Sequence, residues 1–205
     1  MAEWKVFWPM AEWVDATAER FPDHDKMQFV RAEAWRIIAA ISRRDPALCR
    51  QMAERVDAIA ERFPDNEAVQ LTCINAWIEV TDAARSNPAL CRQMAERTEA
   101  IALRFPDHEE IQFTCIASLR IVNHVTRSDL SLCLDMAERI EAIAVRFPDH
   151  KEIQVIRNNA WNEFNYAKMK EPKAPLAPRR PMIEDQSRPY KDIGYDPSGV
   201  TIMRF

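Results

Sequence analysis

MAERVDAIAERFPDNEAVQLTCINAWIEVTDAARSNPALCRQ, residues 52–93, is the stretch on which the fold turns. Its opening Met-Ala-Glu, at Met52, stands also at Met10, Met94 and Met136. Its Phe-Pro-Asp, at Phe63, stands also at Phe21, Phe105 and Phe147. Both segments return every 42 residues. A chain that copies itself at such a period is built from one supersecondary unit repeated, and the content of that unit sets the fold.

Each unit holds two helical patterns. The first begins after Asp45, Asn87 or Asp129, residue types that cap helix N-termini, and Pro46 and Pro88 follow where a missing N–H costs nothing. Leu48, Met52, Val56, Ile59, Ala60 and Phe63 recur at intervals of three and four and make one apolar stripe. The pattern stops before Pro64, Pro106 or Pro148. The second helix is expected to start at Asp65, Asp107 or Asp149, with Glu110 and Glu152 completing capping boxes. Its stripe is Val69, Thr72, Cys73, Ala76, Trp77 and Val80. Each helix should run ~18 residues, about 27 Å. The short connections make the two antiparallel neighbours, and stacked pairs bury both stripes in a continuous core.

The ends depart from the repeat. In the fourth unit the second helix turns polar at Asn158, Asn159, Asn162 and Asn165, as suits a face with no following unit. At the other end Pro9 is expected to break the helix register, leaving residues 1–9 as an aromatic cap and residues 10–169 as four units. Residues 170–205 hold six of the thirteen prolines and both glycines. Seven Lys/Arg against five Asp/Glu give that tail a charge of +2, which leaves -6 on the rest of a chain whose net charge is -4. Such Pro-rich polar composition is expected to be extended or disordered.

The pattern Asp65-x-x-x-Val69-Gln70-x-x-Cys73-x-x-Ala76-Trp77 resembles the inner helix of HEAT and armadillo repeats, over about residues 10–168. The resemblance implies an all-α, right-handed α-solenoid of four 42-residue helix-pair repeats. Armadillo repeats hold an extended peptide with a ladder of asparagines. The aligned positions here are Ile37, Glu79, Ile121 and Glu163, so that clamp is not implied. Tetratricopeptide repeats, with a period of 34, match less well.

Several recurring residues invite a chemical role. Five cysteines (Cys49, Cys73, Cys91, Cys115, Cys133) fall in two rows, too far apart for disulfides between neighbouring units, and are expected in the core. His24, His108 and His150 share a position whose spacing excludes a common metal ion, and are expected in solvated first turns. Arg20, Arg62, Arg104 and Arg146 could hold phosphates, but also offset the helix dipole at the ends of first helices. Gln28, Gln70, Gln112 and Gln154 are expected to tie the stack together, and Trp35, Trp77 and Trp161 to fill its core. Trp4, Phe7, Trp8 and Trp13 leave two readings open, a cap or an exposed interface patch.

No nucleophile–base pair, phosphate loop, metal motif or cofactor signature appears, and no enzyme activity is expected. There is no ~20-residue apolar run and no signal-peptide pattern, so a cytoplasmic protein away from membranes is expected. The acidic balance opposes nucleic acid. The function expected is a protein-interaction scaffold or adaptor, with a structural subunit of a larger assembly, including a homo-oligomer, as alternative and a HEAT-like nucleic-acid binder third. Candidate contacts are Arg36, Glu79, Arg120, Asn162 and Glu163 beside the second-helix stripe. Trp4, Phe7 and Trp8 at one end and Arg179, Arg180, Tyr190 and Tyr195 in the tail complete the set.

Overall fold

The computed structural model describes residues 4–170. The chain divides into two units, Met1–Glu171 and Pro172–Phe205, and every described helix belongs to the first. The expectation for the tail lies outside the described residues, apart from Lys170.

Those residues form eight helices and no strand: α1 (Trp4–Glu19), α2 (Asp25–Ile41), α3 (Pro46–Arg62), α4 (Glu67–Ala83), α5 (Pro88–Ala102), α6 (Glu109–Val125), α7 (Leu130–Ala144) and α8 (Lys151–Lys170). They pair in chain order, giving an all-α arrangement of repeated helix pairs. The second helices α2, α4, α6 and α8 form a row in which each touches the next. The backbones of the first helices stay apart, and only long side chains reach from one to the next. Each of α3, α5 and α7 is wedged between the second helix before it and the one after it. The core therefore runs along the row, with Trp35, Met52, Trp77, Met94, Leu119 and Met136 all shut off from solvent.

Helix starts follow local chemistry. Asp45, Asn87 and Asp129 accept the backbone N–H three residues on at 3.1–3.2 Å and cap α3, α5 and α7. The second helices start one residue later than expected. Their caps are His24, Asn66 and His108, not the preceding aspartates, and His150 makes the same bond at the head of α8. The reason is the corner before them. The N–H of His24, Asn66, His108 and His150 each bonds the carbonyl of Phe21, Phe63, Phe105 or Phe147, closing a four-residue turn. Proline and aspartate are the two central residues of that turn, a position proline favours. The aspartate is thereby used in the corner, the next residue becomes the cap, and Glu110 and Glu152 fall one place short of a capping box.

Pro9 does not break the first helix. α1 runs through it, and no break separates residues 4–8 from the rest. Proline's fixed φ suits a helix, and the carbonyl that loses its partner lies on an exposed stretch where water can replace it.

Candidate functional site

The recurring polar residues are engaged inside the stack. Gln28, Gln70, Gln112 and Gln154 each send Nε2 to two carbonyls at the end of the first helix of their own pair. Gln70 bonds Ala60 O at 2.7 Å and Phe63 O at 2.9 Å, and Gln112 bonds Ala102 O at 2.6 Å and Phe105 O at 2.9 Å. Carbonyls at a helix C-terminus have no intrahelical partner, so each glutamine supplies a cap from the neighbouring helix. In the two middle pairs its Oε1 then accepts from the following pair: Arg104 bonds Gln70, and Arg146 bonds Gln112 at 2.7 Å. Gln154 Oε1 accepts from Arg157 of its own pair at 3.2 Å, and Gln28 Oε1 has no partner among the described residues. Both arginines also lie over a phenylalanine, Phe105 and Phe147, at 5.8 Å.

A second set of links joins an acid, a tryptophan and an arginine. Asp57 accepts from Trp77 Nε1 at 3.2 Å and from Arg97 of the next pair at 2.9 Å, while the Arg97 guanidinium sits 4.6 Å above the Trp77 ring. Glu99 pairs with Arg139 at the next step, where Leu119 replaces the tryptophan. At the two ends the acid is bonded by an arginine of the same pair, Arg31 to Asp15 at 2.6 Å and Arg157 to Glu141, while Arg55 of the next pair still lies 4.3 Å over the Trp35 ring. Burial pushes the Asp15 carboxyl up, but hydrogen bonds from Arg31 and Trp35 outweigh it and hold it below the usual carboxylate range.

The histidines are not merely solvated. His108 and His150 accept a backbone N–H through Nδ1 at 3.3 Å, and their Nε2 atoms approach Glu67 and Glu109 of the preceding pair at 3.5 Å. All five cysteines are buried and unbonded to one another, and burial pushes the thiols of Cys49 and Cys115 up to about 12.

The open face of the second helices carries the remaining candidates. The structure brings together Arg120, Asn162 and Glu163, which line two adjoining shallow hollows with Arg85, His124, Asn159 and Tyr166. Glu163 accepts from Asn123 at 3.2 Å and meets His124 Nδ1 at 3.3 Å. Arg120 is exposed and has no hydrogen-bond or ion-pair partner among the described residues. His124 and Tyr166 were not singled out in the sequence, although each stands one helical turn from a residue that was. Arg36 lies apart, forked onto Glu33 at 2.9–3.1 Å. Glu79 is a correction to the expected contact set. It is buried against the preceding pair, where it binds Arg43, and is not on the open face.

The aromatic N-terminus divides between its two readings. Trp4 stacks edge-on against Trp8 at 5.7 Å, and Trp8 against Trp35 at 5.5 Å, so these two cap the core. Phe7 and Trp13 remain exposed. Arg179, Arg180, Tyr190 and Tyr195 lie outside the described residues.

Among the described residues no three His, Cys, Asp or Glu side chains gather as a metal site, and no helix is long and apolar enough to cross a membrane. Comparison with known protein families, curated proteins and solved structures found no match.

Proposed function

We propose that the chain is a protein-interaction scaffold: a right-handed α-solenoid of HEAT/armadillo type, with four 42-residue units, that recognises another protein on the open face of its second helices around Arg120. One observation carries this reading. The glutamine row is bonded within the stack through Nε2 in all four pairs, and Arg104 and Arg146 are bound to it, whereas the residues left open on the second helices differ from pair to pair. The position of Arg120 is Arg36, Ile78 and Asn162 in the other pairs. A surface without a single code suits one particular partner better than a uniform polymer. The unpartnered Arg120 guanidinium, between Asn162 and His124, offers a planar fork for a carboxylate of that partner.

The phosphate-binding reading of the arginine row is weakened by the same geometry, because Arg104 and Arg146 already hold Gln70 and Gln112. The assembly-subunit reading is favoured by the exposed apolar residues of α1. Affinity capture with wild type and with Arg120→Glu, quantified by mass spectrometry, tests the proposal. A defined partner recovered with wild type and lost with R120E, at unchanged helix content, is the expected result. Identical recoveries would refute the Arg120 face, and tight duplex binding lost on charge reversal at Arg62 and Arg104 would favour nucleic acid.

A further inference from the structure

The α1 end of the stack gathers several exposed apolar side chains on one face. Val6, Met10 and Trp13 are 65–70% exposed, and Phe7, Val30 and Ile37 are 42–44% exposed. Val6, Met10 and Trp13 are spaced i, i+4, i+7, which sets them in one seam along α1. Their counterparts in the next pair show what this surface is shaped for. Cys49 and Met52, which correspond to Phe7 and Met10, are fully buried. Thr72, corresponding to Val30, bonds Glu33 of the pair before it, and Glu79, corresponding to Ile37, binds Arg43 of the pair before it. Each of these positions normally lies under a preceding pair. At α1 no described residue covers them.

The opposite end is mixed, with Asn158, Asn162 and Asn165 exposed beside Val155, Tyr166 and Met169. The exposed asparagines would be desolvated without partners against the apolar α1 face, so head-to-tail stacking into a filament is less favourable than joining two α1 faces. Two apolar ends do match, and they close at two copies about a two-fold axis.

We propose that the α1 face binds a second copy of this chain, with the two α1 helices antiparallel. This rests on the reading of the protein as one that acts by association, and it names a partner for a face separate from Arg120. In that sense the small Val6 of one copy opposes the bulky Trp13 of the other, and Met10 opposes Met10. With Met10 opposite Met10, Lys5 near the start of α1 lies level with the acidic half of the other copy's α1, which carries Glu12, Asp15 and Glu19. The six side chains leave open apolar surface on the order of 600 Å² per copy, near the ~800 Å² that each partner gives to a standard interface.

The test is sedimentation velocity on the full chain from about 1 to 100 µM, with helix content followed by circular dichroism. The wild type is expected to form a dimer. Met10→Glu is expected to weaken it at least ~100-fold, because the symmetry places two carboxylates together in a desolvated seam. A second variant, Met10→Cys, should join to itself through a short bis-maleimide, since the five native thiols are buried; Asn162→Cys should not. A wild type that stays monomeric at the highest concentration overturns the proposal, whatever else covers the face. So does growth beyond the dimer, or a dimer that M10E leaves intact. Arg120→Glu should leave the dimer unchanged, and M10E should leave Arg120-dependent capture unchanged, so either proposal can fail alone.

Discussion

Trp77 has three attachments. Its ring fills the space between pairs, its Nε1–H is held by Asp57, and its face carries the Arg97 guanidinium from the next pair. Trp77→Ala should therefore destabilise the protein by about 3–5 kcal/mol, the usual cost of truncating a buried large aromatic. Trp77→Phe keeps much of the volume and loses the indole N–H, and should cost about 1 kcal/mol, the value of one hydrogen bond. Denaturant titration separates the two. A loss below about 1 kcal/mol for the alanine variant would mean that the ring contributes little to the core. The tryptophan row was legible because it falls on an apolar stripe. The role of Asp57 was not, since aspartate on a helix usually means a solvated face. Its meaning comes from Arg97, 40 residues on, and a bond between two charged surface types leaves no hydrophobic signal to follow.

At the scale of the helix, existence and pairing could be read from periodicity, while the starts of second helices could not be read to the residue. Proline and aspartate at 64–65 suit a helix start and a tight corner equally well, and only the bond from Asn66 to Phe63 decides between them. Pro9 misled for a related reason. Its cost falls on a single turn near the helix start, where water can reach the Lys5 carbonyl that loses its partner, and the packing of α1 against α2 keeps the helix continuous. The capping role found for His108 gives a direct test. His108→Asn restores the side chain found at Asn66 and should be close to neutral. His108→Ala leaves the Ile111 N–H without its acceptor and should cost roughly 1 kcal/mol. Thermal unfolding of the two variants measures the difference, and equal loss in both would show that the Nε2 contact to Glu67, not the cap, matters at this position.

Across the whole molecule, stability is shared between neighbours only, because no helix pair touches a pair beyond the next. Such a stack opens from its ends. The cysteines report on this opening. All are fully buried, so the native chain should resist alkylation while the denatured chain takes up five equivalents. In low denaturant Cys133, on α7 near one end, should be modified before Cys73 in the middle, as read by mass-spectrometric mapping. Cys73 reacting first would indicate unfolding from the centre. The direction of the links has another consequence. Arg97, Arg104, Arg139 and Arg146 all reach back to acceptors earlier in the chain, and Glu163 likewise reaches back to Asn123. A polypeptide leaving the ribosome emerges N-terminus first and folds in that order. For this protein each newly emerged helix pair finds its docking groups already in place, so the stack can grow during translation without waiting for a segment still to be made.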